Sequence, residues 1–211
     1  MNRYLLRAEQ IKKTFNRKVI FSDISFDLSS TQSLVITGRN GAGKSTLIKI
    51  IAALSSPTTG RISAKENEKE INAAVWFQYI GFVAPYLQLY EEFSAWENLR
   101  LLSDIRAMKI GDPRLRELLE MVQLDNRRHD IVRTYSSGMK QRLKYACALL
   151  HDPIFLLLDE PTANLDVAGR TIVENIVTEQ KKSGVVIVAT NEPAEIAWCD
   201  QTINLDKTDG R

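Results

Sequence analysis

Over the first thirty residues apolar and polar positions alternate. Leu6, Ala8 and Ile11, then Val19, Phe21, Ile24, Phe26 and Leu28, mark one repeating face. A period near two predicts short antiparallel strands of an edge sheet with one side buried. Three other segments carry no alternation: Ser33–Thr37 (SLVIT), residues 154–158 (IFLLL) and Val185–Ala189 (VVIVA). Short unbroken apolar runs of this kind are strands covered on both faces. A glycine-rich turn at 38–43 follows the first of them. Helices are predicted at 44–54, ended by Ser55, Ser56 and Pro57, and at 167–182, closed by Gly184. Buried strands alternating with helices predict an α/β fold around a mostly parallel sheet.

Between these landmarks the pattern is less even. Residues 64–74 (AKENEKEINAA) are charged and weakly patterned, and read as a solvated loop. Residues 76–83 read as a strand. Ser94 with Glu97 spells a capping box, and Asp112 before Pro113 reads as an N-cap with proline at the first helical position. Residues 88–150 therefore read as a helical insertion between strands. A last strand is expected at 202–205. No internal repeat or linker divides the chain, so residues 1–211 are expected to form one domain.

Composition narrows the partners. Among 211 residues, 28 are basic and 26 acidic, leaving a net charge of +2. That balance argues against a nucleic-acid binder that works by bulk charge. Two cysteines, Cys147 and Cys199, cannot form a disulfide framework and suit a reducing compartment. The two histidines, His129 and His151, show no metal-ligand spacing and read as surface or helix-end residues. No apolar run nears the ~20 residues of a membrane-spanning helix. A cytoplasmic chain is expected, touching a membrane only through a partner.

The turn at 38–43 carries the chemistry. Gly38, Arg39, Asn40, Gly41, Ala42, Gly43, Lys44, Ser45 and Thr46 fit G-x-x-x-x-G-K-[ST], with a buried strand before and a helix after. Glycines let backbone N–H groups close on phosphate oxygens, and the helix start adds partial positive charge. Lys44 is placed to reach β- and γ-phosphates, and Ser45 to sit on Mg²⁺. This pattern specifies a nucleoside triphosphate and no more. Asp159 and Glu160 end the run of residues 154–158, at the strand edge where α/β sheets bind ligands. Asp159 suits Mg²⁺. Glu160 suits polarising a water for attack on the γ-phosphate.

With these residues together, the sequence resembles the ATP-binding subunits of ABC transporters over nearly its whole length. Tyr135-Ser136-Ser137-Gly138-Met139-Lys140-Gln141-Arg142, then Asp152-Pro153, then IFLLLDEPTANLD, is similar to that family's signature run. The resemblance implies a P-loop NTPase core, an antiparallel N-terminal β-subdomain and an inserted α-helical subdomain over about 88–150. It implies ATP and Mg²⁺ as ligands, with Phe15 stacked on the base. It also implies a head-to-tail dimer, identical or mixed, in which Ser136, Ser137, Gly138 and Met139 close on the partner's ATP and residues 163–166 cross the seam. A transmembrane subunit is the implied partner, docked near Tyr86, Leu87, Leu89 and Tyr90. Of the dense aromatics from Trp76 to Trp96, most are expected in the core.

The chain departs from the family at three places. Pro85 stands where a glutamine is usual, and proline has no side-chain donor or acceptor. Asn191 stands where a histidine contacts the γ-phosphate; it can donate but carries no proton at neutral pH. The signature reads Ser-Ser-Gly-Met, which puts Ser137 where glycine is usual, in a geometry glycine takes more easily. MgATP-binding residues are spared while relay residues change, so a working but slow ATPase is expected. The lack of extra sequence after the last strand resembles compact exporter subunits. Two readings compete: a soluble ABC-type ATPase, or a nucleotide-dependent switch without transport.

Overall fold

The computed structural model describes residues 3–207. The strands form two sheets, one of four strands and one of five. β1 (Tyr4–Phe15) and β2 (Lys18–Ser29) form a long antiparallel pair, with Leu6, Ile11, Phe21 and Leu28 fully buried on one face. β3 (Ser33–Thr37) leaves this layer for the interior of a second sheet, and α1 (Lys44–Ile51) comes after it. β4 (Thr59–Glu66) and β5 (Lys69–Glu70) return to the first sheet, which runs β2-β1-β4-β5.

The charged segment at 64–74 is therefore not a loop. Asn67 and Glu68, both at positive φ, turn a hairpin between β4 and β5. Both strands sit at the sheet edge, so their charges are solvated without breaking the ladder, and charge hides the strand pattern. The strand expected at 76–83 is also shorter. Asn72 accepts from the Ala74 N–H and starts a 3₁₀ turn, Ala73–Gln78, and only β6 (Ile80–Val83) is extended. Trp76 anchors that turn by donating from Nε1 to the Ile51 carbonyl at 2.9 Å.

The helical region holds α2 (Ala95–Ile105), α3 (Asp112–Met121) and α4 (Ser137–Ala148). The capping box at Ser94 and Glu97 forms as expected. Asp112 is not the cap of α3: Gly111 is, and Asp112 and Pro113 fill the first turn. α1 stops at Ile51, three residues short of expectation, because Ala53 turns to φ 58. After α4 come β7 (Phe155–Asp159), α5 (Val167–Gln180), β8 (Val185–Ala189), α6 (Pro193–Ile196) and β9 (Gln201–Asn204). The second sheet runs β6-β7-β8-β3-β9, and every pairing in it is parallel. β7 and β8 are buried at every position, as their unbroken apolar runs require.

Of the eight aromatics between Trp76 and Trp96, only Trp76 is buried; Phe77, Tyr86, Tyr90 and Phe93 are exposed. Tyr79, Phe82 and Trp96 pack partly buried against the core, so the cluster divides evenly between core and surface. His151 is no surface residue either. Its ring packs behind β6, with Nε2 bonded to the Ile80 carbonyl at 2.9 Å and Nδ1 buried. Burial, reinforced by the nearby Arg106 charge, pushes its pKa down to about 4, so the ring is neutral.

Candidate functional site: a nucleotide cleft at the strand ends

The parallel strands β3, β7 and β8 end at one edge, and three loops leave from it. After β3 the chain turns through Gly38, Gly41 and Gly43, all at positive φ. At Gly43 (φ 103) a Cβ would meet Ile20 Cγ2 at 2.6 Å and the Phe21 ring at 2.9 Å. Only glycine lets the loop pass this close to β2. α1 then begins with no side-chain cap, leaving its first N–H groups to the loop's concavity. The Lys44 side chain is almost wholly buried, and Nζ donates to the Gly38 carbonyl at 2.7 Å. The ammonium is thus held over the loop into which a phosphate would fit.

Beside it, the Ser45 hydroxyl donates to Asp159 Oδ1 at 3.1 Å. Asp159 is buried at the tip of β7. Burial raises its proton affinity, and the Ser45 hydrogen bond opposes that rise. A hydroxyl and a carboxylate side by side, both oxygen donors, next to a phosphate nest fit Mg²⁺. Glu160 turns out of the strand at φ 48, its N–H held by the Ala189 carbonyl at 2.9 Å, and its side chain is exposed at the cleft. The cleft itself, about 340 Å³, is walled by Phe15, Asn40, Gly41, Lys44, Ser45, Thr46 and Glu160. Phe15 ends β1 half-exposed at its rim. The Arg39 N–H donates to Asp206 at 2.9 Å, tying the loop to the segment after β9.

After β8 the chain crosses the same edge. Asn191 Oδ1 accepts from the Gly38 N–H at 3.2 Å, so the residue in the histidine's place is already wired to the phosphate loop. A second strap on this loop has no counterpart among the residues singled out in the sequence. Glu195 on α6 is buried and accepts at Oε1 from both the N–H (3.1 Å) and the hydroxyl of Thr162, while Oε2 is buried with no partner among the described residues. It ties the loop after β8 to the loop after β7. A lone glutamate in a short polar helix gives no signal of this in one sequence.

The signature residues stand elsewhere. Ser136 caps α4, its hydroxyl accepting from the Met139 N–H at 3.2 Å. Ser137 is simply the first residue of α4 and is not at positive φ, so the strain expected there is absent. A helix start is open to any residue. Gly138 is the constrained one: a Cβ would meet the Asn164 carbonyl at 3.2 Å. None of Ser136, Ser137, Gly138 or Met139 lines the cleft of their own chain.

Around Pro85 the loop after β6 is held by Lys144, whose Nζ donates to the carbonyls of Ala84 (3.3 Å) and Pro85 (2.7 Å). Leu87, Leu89 and Tyr90 line a separate groove of about 350 Å³, with Gln88 beside them. Tyr86 does not line it. Its ring lies under the Lys49 ammonium, 4.1 Å from Nζ to centroid, and its hydroxyl faces Asp159. Tyr86 therefore stands apart from Leu87, Leu89 and Tyr90, beside Asp159 and Lys49.

A glycine-rich phosphate loop at the end of a parallel strand, with an acidic strand end beside it, defines a class: P-loop nucleoside-triphosphate-binding domains. Similarity to known proteins identifies the member. The ABC transporter family profile matches residues 21–163. The chain is 36% identical over 208 residues to the ABC transporter ATP-binding protein YdbJ of Bacillus subtilis (strain 168), covering 96% of this chain and 67% of that one. It is 33% identical over 221 residues to the lipoprotein-releasing system ATP-binding protein LolD of Treponema pallidum (strain Nichols), covering 98% and 97%. Among solved structures, an ATP-binding subunit of an ABC transporter superposes with a TM-score of 0.82 at 27% identity, covering 95% of this chain and 85% of that chain. A dimeric ATP-binding cassette in a post-hydrolysis state with ADP and Pi shares the fold, with a TM-score of 0.81 at 22% identity over 94% of this chain and 93% of its own. The chain belongs to the ATP-binding proteins of the ABC transporter family. It is an ATP-binding and ATP-hydrolysing subunit that powers a membrane transporter.

Proposed function

We propose that two copies of this chain, or this chain and a similar one, close head to tail on two MgATP molecules, and that closure moves a separate transmembrane subunit. The observation that carries this reading is the separation of the serine-glycine turn at 136–139 from the cleft of its own chain. A capped helix start with exposed Ser136 and Ser137 is an anion-binding surface with no anion of its own to meet.

In this reading the P-loop N–H groups and Lys44 hold the β- and γ-phosphates, and Phe15 covers the base. Ser45 and Asp159 would hold Mg²⁺, which when bound offsets phosphate charge. Glu160, on an exposed turn beside the cleft, holds and polarises the attacking water. Asn191 donates its amide hydrogens toward the γ-phosphate while Oδ1 keeps the Gly38 N–H. Glu195 transmits a shift of that loop to residues 162–166 at the dimer seam. The groove beside Leu87, Leu89 and Tyr90 receives the transmembrane partner. Among the described residues no helix is long and apolar enough to cross a membrane.

The test is phosphate release from ATP by the purified chain over a range of protein concentrations. The rate per molecule should rise with concentration, because each site needs a second copy. A rate strictly proportional to protein would overturn the composite site. The expected basal rate is low, since Pro85 and Asn191 stand where the family resemblance implies a glutamine and a γ-phosphate-contacting histidine.

A further inference from the structure

The groove beside the loop after β6 holds more than apolar surface. Leu54, Phe77 and Tyr90 stand at its walls, 62%, 52% and 51% exposed. Single apolar residues on a surface need no explanation, but three large ones around one concavity do. Its charged lining is wholly cationic: Arg106 and Lys144, with no aspartate or glutamate.

Neither cation meets a carboxylate among the described residues. Arg106 donates to the Phe77 carbonyl at 3.1 Å and lies over the Phe77 ring, 5.9 Å from its centroid. Lys144 meets only the carbonyls of Ala84 and Pro85. On the same helical region, Arg100 pairs with Asp112, Arg127 with Asp130, Arg128 with Asp125 and Arg133 with Glu92. These four arginines find an acid, and the two groove cations do not. Both are partly desolvated, and burial lowers the proton affinity of each. A half-buried cation bonded only to neutral carbonyls gains most from a carboxylate delivered with an apolar rim that excludes water.

We propose that the groove selects a partner segment carrying a carboxylate flanked by apolar side chains, with Arg106 and Lys144 as the selecting charges. This rests on the groove being where the transmembrane partner docks, and adds the chemistry of what docks. An apolar ridge fills the space between Leu54, Phe77 and Tyr90, and the carboxylate reaches the cations at its end. An uncharged amphipathic segment would leave both cations unpaired under a drier cover, and a basic one would be repelled.

The probe is a fluorescein-labelled amphipathic helical peptide with a leucine-phenylalanine face and one central glutamate. Its binding to the 211-residue chain is followed by anisotropy against the same peptide with glutamine or lysine in that place. The glutamate peptide should bind about tenfold more tightly than the glutamine one, the lysine one weakest. Arg106→Gln with Lys144→Gln should erase the preference, whereas Arg106→Lys should keep most of it. Circular dichroism of each variant checks that the fold survives. Equal binding of all three peptides, or a preference that survives removal of both cations, overturns the acidic selection alone. No binding of any peptide overturns the docking reading beneath it.

Discussion

The nucleotide cleft joins acidic, hydroxyl and amide groups to its cation, whereas the charged lining of the groove is cationic alone. At the cleft Lys44 is held on the Gly38 carbonyl, Ser45 on Asp159 and Asn191 on the Gly38 N–H, and nearby Glu195 Oε1 is held on Thr162. These bonds hold the side chains where a phosphate will replace or join them, so little has to be ordered on binding. At the groove, Arg106 and Lys144 rest on neutral carbonyls and await an acid. A site for a small, invariant ligand can be pre-organised by its own chain. A site for another protein leaves its charges for the partner to satisfy, and its specificity lies in that remainder.

The strongest way to break this contrast is at the cleft. Glu160→Gln keeps the size of the side chain and removes the base. Single-turnover phosphate release should fall by about 10²–10⁴-fold while nucleotide binding is retained. Native-rate release by the variant would show that Glu160 is only an exposed acid on the turn, and the cleft would lose its claim to completeness.

The two regions are also unequally legible in the sequence. The cleft's residues lie in continuous runs whose chemistry depends on spacing: Gly38 to Thr46 and Asp159 with Glu160. The buried strands that present them are unbroken apolar runs, so fold and site can be read together. The groove is less legible. Tyr86 groups with Leu87, Leu89 and Tyr90 as a neighbour in sequence, but its ring lies by Lys49 and its hydroxyl faces Asp159. Hydrophobicity alone assigns the aromatics around it to the core, yet four of them face solvent. Glu195 and Thr162 are 33 residues apart, and nothing in either's local context foretells their contact. The β4–β5 hairpin is hidden by charges that an edge strand tolerates. Local chemistry shows in the sequence, and contacts made only by the fold do not.

Glu195 tests the internally satisfied side of the contrast on stability. Glu195→Ala leaves the Thr162 N–H and hydroxyl buried without their acceptor, and should cost about 1–3 kcal/mol in urea unfolding. Glu195→Gln keeps an amide oxygen for Thr162 and should lose less. If the two variants unfold alike, the strap does not hold the loop after β8 to the loop after β7.

The smallest effect lies under the groove, where the unpaired Arg106 acts on His151. The His151 ring has a folded pKa of about 4 against an ordinary 6.5, from burial first and Arg106 second. The folded chain therefore binds fewer protons than the unfolded chain between these values. Accordingly His151 leaves stability untouched above about pH 7, erodes it as pH falls through 6.5, and stops doing so below about 4. Because the ring is only partly enclosed, the erosion should be about 1–2 kcal/mol, below the full value of the shift. Carboxylates titrate in the same window, so the measurement is the difference between the native chain and His151→Gln in urea unfolding at about pH 7.5 and about pH 5. Native stability should fall more than that of the variant. Arg106→Gln should shrink the gap, since part of the depression is its field. Equal slopes in all three proteins would mean that His151 is solvated, and that the groove floor is wetter than the two unpaired cations imply.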